Sequence, residues 1–294
     1  IAEGRLTLET TLAALDLGAD EPPLLPGQEQ ATIENLLMSR SGIMHSALYE
    51  VGYWKQRRAE LRAADLAVGR PLHPPGSFWV YNNWDFNALG TILEQARTAP
   101  LGDQLARDIA TPIAMQDFRA ADITAIDRHE ESERRLGNSS VHDAYMVEIS
   151  TRDLARFGLL YLACGRWAAA PVIPEAWVLA SISGPRTIEG GAAEPLGDWG
   201  RYGYLWWDDS GPTRNYPALA GIAPMAFAHG HRGHFLGLVP ALDLVVAHQV
   251  ATVGGIGTAA QLDRLHNGSP EVSDQELDQL LGLIVNAHPA SQDD

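Results

Sequence analysis

The segments that read as β-strands lie in the last third of the chain, and this order constrains the fold more than any other feature. Short aromatic and aliphatic runs bounded by turn residues predict strands over 202–207, 225–232, 234–240 and 243–252. The turn "PALD" joins the last two runs closely enough to predict an antiparallel hairpin. Helical patterns precede these strands, and one more helix is predicted over 273–288. The order predicts an α+β fold: an antiparallel sheet with flanking helices plus a mostly helical region.

The helices of the first part of the chain have clear start signals. "TIENLLMSRSG" begins at Thr32, a good N-cap residue, and "STRDLARFGLLYLACG" opens with the capping pattern of Ser150 and Asp153. The charged stretches 55–67 and 127–135 are predicted to be solvated. We divide the chain accordingly into 1–184, a mostly helical region, and 185–294, the sheet-forming strands and C-terminal helix of the α/β part.

The composition limits the possible partners. The chain has 294 residues and a formal net charge of −16, which argues against nucleic acid or an anionic membrane surface as the main partner. Cys164 is the single cysteine, so neither an intrachain disulfide nor a thiolate metal site can form. No apolar run approaches the roughly 18 residues that a membrane helix needs. We expect a small-molecule or peptide substrate, and the oligomeric state stays open.

Three histidines in "AHGHRGHF" raise the question of a metal site. His229, His231 and His234 follow a spacing close to the H-x-H-x-D-H of zinc hydrolases, and imidazole is a good zinc ligand. Gly233 stands where that motif has Asp, and alternation along a strand puts His234 on the opposite face from the other two. A zinc hydrolase and histidines that merely fill a strand end are therefore both alternatives.

Five phrases in order carry a resemblance to a known family. They are "TIENLLMSRSGI", "PPGSFWVYNNWDFNALGTILEQ", "STRDLARFGLLYLACGRW…VIPEAWV", "YGYLWW" and "AHGHRGHFLGLVPALDLVV". Over nearly the whole chain, this resembles the β-lactamase-related serine hydrolases, which include class C β-lactamases, D-alanyl-D-alanine peptidases and related esterases. The resemblance implies a β-lactamase/transpeptidase-like fold, an acyl-enzyme mechanism on an ester, amide or β-lactam, and no metal or organic cofactor. It also favours a bacterial periplasmic or secreted protein.

The resemblance also implies a set of site residues. The family's Tyr-x-Asn motif falls on Tyr81-Asn82-Asn83, and its Lys-, His- or Arg-x-Gly motif falls on His231-Arg232-Gly233. Tyr81 would be the general acid/base, with a pKa lowered by its neighbours, while Asn83 and His231 position substrate and proton. Gly233 would open the strand to substrate, and His234 would donate its backbone N–H to an oxyanion. Trp206 is expected to line the pocket.

Simpler interpretations of the same residues remain open. Tyr81 could be an ordinary buried aromatic residue with a satisfied hydroxyl. Asn83 or Asp85 could be only the N-cap of the following helix. The tryptophans at 79, 206 and 207 are divided between pocket and core packing, and we expect core packing for at least one of them.

The nucleophile of the family is missing from the sequence. It comes from S-x-x-K, and the only lysine, Lys55, has Gly52 at the position of the serine. We expect a segment with S-x-x-K upstream of Ile1. The alternative is a catalytically silent relative that uses the same residues for binding. The substrate and the compartment are not determined by the sequence.

Overall fold

The computed structural model describes residues 3–17, 22–183, 201–209, 216–222, 224–230, 233–250 and 272–287. These residues form two compact units, one from the described part of Ile1–Ile149 and one from the described residues from Ser150 onward. The domain boundary predicted at residues 184 and 185 lies outside the described residues.

The first unit is mainly helical. Its helices are α1 (Ile33–Leu37), α2 (Gly52–Val68), α3 (Asn83–Arg97), α4 (Leu101–Leu105) and α5 (Glu131–Leu136), and its strands β1 (Ile123–Ile126) and β2 (Ala144–Val147) pair antiparallel. Thr32 caps α1 as predicted, because its hydroxyl accepts from Asn35 N at 3.2 Å while the Asn35 side chain accepts from Thr32 N at 3.1 Å. One core cluster includes the fully buried Leu36 and Trp84, so α1 and α3 share an apolar core.

The second unit contains the predicted antiparallel sheet. Its five described strands, in spatial order, are β5 (Arg201–Gly203), β6 (Trp206–Asp208), β7 (Ala226–Gly230), β8 (His234–Val239) and β9 (Leu244–His248). Each strand pairs antiparallel with the next, and Val239 faces Leu244 at the end of the predicted β8–β9 hairpin. A short separate pair, β3 (Arg166–Trp167) and β4 (Ala170–Pro171), completes the described strands.

Helices flank this sheet. They are α6 (Thr151–Leu162), α7 (Glu175–Ser183) and α8 (Asp274–Ala287). α6 packs closely on β8 and β9, since a Cβ added at Gly158 would lie 2.5 Å from Val245 Cγ1 and 2.9 Å from Leu236 Cδ1. The Ser150 hydroxyl accepts from Asp153 N at 3.3 Å, so the predicted cap of α6 is confirmed. The predicted α+β fold is confirmed as well.

Hydropathy adds one observation about the helices. Within the described ranges, no helix combines the length and apolar character that a membrane crossing requires.

Candidate active site

Tyr81 lies in the extended segment that leads into α3. Its half-buried ring packs 5.7 Å from the ring of Trp54 and 4.9 Å, edge-on, from that of Phe86, measured between centroids. Burial raises the pKa of Tyr81 to about 12, because an apolar surrounding disfavours the phenolate. The expectation that neighbouring groups lower the pKa of Tyr81 is therefore wrong. At neutral pH, Tyr81 is a neutral phenol that can donate a hydrogen bond.

The two asparagines after Tyr81 have different tasks. Asn82 is the N-cap of α3, since its Oδ1 accepts from Trp84 N at 3.1 Å, and its Nδ2 donates to Ile43 O at 2.6 Å. The interpretation of Asn83 or Asp85 as the N-cap is thus wrong. Asn83 is the first helical residue, and its Nδ2 donates to Tyr49 O at 2.6 Å.

Asp85 and Ser41 form a buried pair beneath the start of α3. The Ser41 hydroxyl donates to Asp85 Oδ1 at 2.5 Å and accepts from Ile43 N at 3.0 Å. Burial raises the pKa of Asp85 well above its usual value, although the hydrogen bonds from Ser41 lower it. These contacts make Ser41 a structural residue.

Two charged residues that contact the Tyr49–Glu50 segment are buried, which the sequence does not predict. Glu133 is 1% exposed and Arg58 is 6% exposed, although both lie in stretches predicted to be solvated. Arg58 Nε donates to Glu50 Oε2 at 2.8 Å, and Glu133 Oε2 accepts from Tyr49 N at 2.9 Å. A run of charged residues on a helix predicts solvent exposure, but it does not show whether a residue far away in the sequence will bury one of them. The burial of Glu133 against Tyr49 therefore leaves no signal in the sequence.

In the second unit, two of the described candidates, Gly233 and His234, lie at the start of β8. Gly233 has a φ of +92°, and a Cβ there would lie 2.7 Å from both Cβ and O of Val272. The position therefore needs glycine for its backbone conformation and for its contact with Val272. His248 Nδ1 donates to Gly233 O at 2.8 Å. Burial, followed by the charge of His248, lowers the pKa of His234.

The segment "AHGHRGHF" holds two further histidines, and the structure describes one of them, His229. His229 Nε2 lies 3.0 Å from Asp274 Oδ1, which also accepts from the buried Tyr216 hydroxyl at 3.3 Å. The hydrogen bond from His229 lowers the pKa of Asp274. His231 lies outside the described residues. Within the described ranges, no group of three or more His, Cys, Asp or Glu side chains is arranged to hold a metal ion.

Trp206 lies two strands from β8, in β6. It is 7% exposed, and its ring centroid lies 4.9 Å from that of Tyr161 within an apolar cluster. Trp79 is fully buried, and Trp207 is 5% exposed. The preference for core packing therefore holds for these three rings, while a role of Trp206 in the pocket stays a prediction.

The fold and the Tyr-x-Asn segment at the start of a helix define a β-lactamase/transpeptidase-like protein. The family model described as Beta-lactamase matches residues 2–269. The chain belongs to the Beta-lactamase family, and the resemblance identified from the sequence is confirmed.

Solved structures share the fold at low sequence identity. A Bacillus anthracis protein assigned as a 6-aminohexanoate-dimer hydrolase has a TM-score of 0.60 and 16% identity, over 97% of this chain and 68% of that one. A class C β-lactamase has a TM-score of 0.57 and 13% identity, over 97% and 76%. A β-lactamase from Mycobacterium bovis has a TM-score of 0.52 and 17% identity, over 97% and 79%. A search of curated proteins found no match.

Proposed function

We propose that the natural protein is a serine hydrolase that forms an acyl-enzyme on an ester, amide or β-lactam. The serine oxygen would attack the acyl carbon, its proton would pass through Tyr81 to the leaving group, and water would then cleave the serine ester. Asn83 and His231 would position substrate and proton, and the His234 N–H would stabilise the oxyanion. Gly233 would belong to the strand edge that binds substrate, and Trp206 would contribute to the pocket wall.

The start of α3 carries this proposal. Tyr81 and Asn83 lie two residues apart, and one amide hydrogen of Asn83 is bound to Tyr49 O at 2.6 Å. Among the described residues, the other amide hydrogen and the side-chain oxygen Oδ1 of Asn83 have no partner. The amide hydrogen can therefore donate to a substrate carbonyl, and Oδ1 can accept from an ammonium. A neutral Tyr81 beside them suits proton donation to a leaving group.

The proposal requires a hydroxyl nucleophile with a lysine, which the 294 residues do not contain as S-x-x-K. We place that motif in sequence upstream of Ile1. Tyr81 would relay the serine proton as a neutral phenol: its hydroxyl would give its own proton to the leaving group and take the serine proton in return.

The substrate class follows the names of the structural relatives. One is assigned as a 6-aminohexanoate-dimer hydrolase, and a further class C β-lactamase was solved in complex with cefoxitin. Amide and β-lactam carbonyls, like ester carbonyls, pass through a tetrahedral oxyanion, so one arrangement can serve all three.

The test uses the protein expressed from its natural gene. A fluorophosphonate should phosphonylate one serine per chain with loss of fluoride, or a labelled penicillin should acylate it, and Tyr81→Phe should lower the labelling rate about 10²- to 10⁴-fold. Failure of both probes to label a folded protein would refute the proposal. The alternative is a catalytically silent binding relative, which is suggested by the absence of S-x-x-K from the 294 residues. It predicts that neither probe labels the protein. A zinc hydrolase using His229, His231 and His234 predicts stoichiometric zinc and activity lost to a chelator.

A further inference from the structure

The only lysine of the chain lies in a polar cluster of the first unit. Lys55 projects from α2, and its Nζ donates to the backbone oxygen of Leu136 and, at 2.7 Å, to Asn138 Oδ1. Desolvation lowers the pKa of Lys55, whereas the charge of Glu50 raises it. This lysine is therefore bound to the last residue of α5 and to the segment after it, and it is not a free surface charge.

The side chain of Asn138 also binds two further groups. Its Nδ2 donates to Glu133 Oε2 at 2.8 Å and to Glu50 O at 3.0 Å. With Lys55 bound to its Oδ1, the amide of Asn138 has partners on both ends, and only 4% of the residue is exposed. An amide held at both ends in a buried site has little freedom to rotate.

Glu133 and Asn138 then hold the peptide planes on either side of one carbonyl. Glu133 Oε2 accepts from Tyr49 N at 2.9 Å, which fixes the peptide before Tyr49. Asn138 binds Glu50 O, which fixes the peptide after Glu50. Between them is the carbonyl of Tyr49, the group that binds the amide of Asn83 at 2.6 Å.

The backbone at Tyr49 needs such support. Its φ is +57°, in the left-handed region, which is unfavourable for a bulky residue and persists only where the surroundings enforce it. If Glu133 is removed, the peptide before Tyr49 loses its partner, and the Tyr49 carbonyl can turn away from Asn83.

From this arrangement we infer that Glu133 and Asn138 are positioning residues for Asn83, acting through the backbone of Tyr49, and that Lys55 holds both in place. The inference rests on the proposed role of Asn83 in the acyl transfer. It also assigns a role to a lysine that does not belong to S-x-x-K.

The kinetic test compares Glu133→Ala with Glu133→Gln in the protein from the natural gene. Glu133→Ala should lower kcat per titrated active site about 10- to 100-fold, with KM changed by less than about threefold, because a misplaced group costs turnover more than binding. Glu133→Gln keeps an acceptor oxygen and should stay within about threefold of wild type. The matched control is Glu131→Ala, on the same helix with a side chain 68% exposed, which should behave as wild type.

Counting only titrated sites separates positioning from folding. A merely structural role would reduce the melting temperature and the number of active sites, yet leave kcat per site unchanged. That result for Glu133→Ala would overturn the inference.

A second readout does not depend on turnover. In a ¹⁵N-labelled protein, the Asn83 side-chain amide should exchange its hydrogens at least about tenfold faster in Glu133→Ala and Lys55→Met than in wild type, since the Tyr49 bond is weakened. Unchanged exchange would overturn the inference. If neither the fluorophosphonate nor the labelled penicillin labels the wild-type protein, the proposed function is refuted. Faster exchange of the Asn83 amide in the variants would then still establish the link from Glu133 to Asn83.

Discussion

In the first unit, Tyr81 and Asn83 stand at the start of α3, where side chains remote in sequence bond to the backbone around them. In the second unit, Gly233 and His234 stand at the start of β8, where pairing with β7 and β9 fixes the chain. The first arrangement requires buried charged and amide groups. The second requires that a side chain be absent, because Val272 occupies the space beside Gly233.

This difference has a physical consequence for mutation. A buried polar group that loses its partner retains its desolvation cost, so the first unit should be sensitive to truncation. A backbone in the left-handed region against a neighbouring chain segment has no room for new atoms, so the second unit should be sensitive to enlargement.

Truncation of Arg58 should have the largest effect. Arg58→Met leaves the 2%-exposed Glu50 carboxylate buried without its cation and should lower the free energy of unfolding by about 3–5 kcal/mol in urea titrations. The control is Arg57→Met, one residue earlier, whose partner Glu60 is 52% exposed; it should cost less than about 1 kcal/mol. Equal losses in the two variants would remove the distinction between buried and surface pairs in α2.

Enlargement at Gly233 should come next. Gly233→Ala should lower the free energy of unfolding by about 2–3 kcal/mol, from the positive φ and from the 2.7 Å approach to Val272. Gly221→Ala, with a φ of +86° and nothing within 4 Å of the added Cβ, carries the backbone cost alone. The difference between the two losses of unfolding free energy measures the cost of the contact with Val272. A larger loss for Gly221→Ala than for Gly233→Ala would contradict this close approach of Val272.

The buried carboxyl of the first unit should set a pH dependence. Because burial raises the folded-state pKa of Asp85 above its unfolded value near 4, its contribution is fully present below about pH 4 and is lost as pH rises through the folded-state pKa. Asp85→Asn should therefore raise the stability at pH 7 relative to that at pH 4, and it should reduce the fall in stability between pH 4 and 7. Urea midpoints measured across that range decide it, and an unchanged profile would show that Asp85 is ionised in the folded protein.

The carboxylate of the second unit should give the smallest effect, with the opposite sign. The hydrogen bond from His229 lowers the folded-state pKa of Asp274, so its stabilisation is present above about pH 4 and is lost as pH falls through the folded-state pKa. Asp274 is 40% exposed, so Asp274→Asn should cost less than about 1 kcal/mol at pH 6, and the loss should shrink towards pH 3. A loss that grows on acidification would contradict this sign.

Local signals predicted what depends on neighbours in sequence. Thr32 and Ser150 cap helices because their hydroxyls reach backbone N–H groups three residues on, and such spacing can be seen in the sequence. The alternation and turns of the last third gave the β8–β9 hairpin for the same reason. Asn82 has an equally local contact, since its Oδ1 accepts from Trp84 N two residues on.

The site depended on contacts that no local pattern contains. Glu133 bonds to Tyr49 across 84 residues, and Asn83 bonds to the same residue across 34, so neither contact has a periodicity. The raised pKa of Tyr81 likewise depends on burial among tertiary neighbours, which include the rings of Trp54 and Phe86, and the Tyr-x-Asn motif does not contain that information.

The fold class, the family and the residues of the Tyr-x-Asn segment follow from the sequence, because strand alternation, capping and motif order are properties of nearby residues. Folding in three dimensions selects which charges are buried, which asparagine caps α3 and which binds Tyr49, and it makes Tyr81 a neutral phenol. Burial depends on what the rest of the chain places around a side chain, and the free energy of a charge or a hydrogen bond depends on that burial.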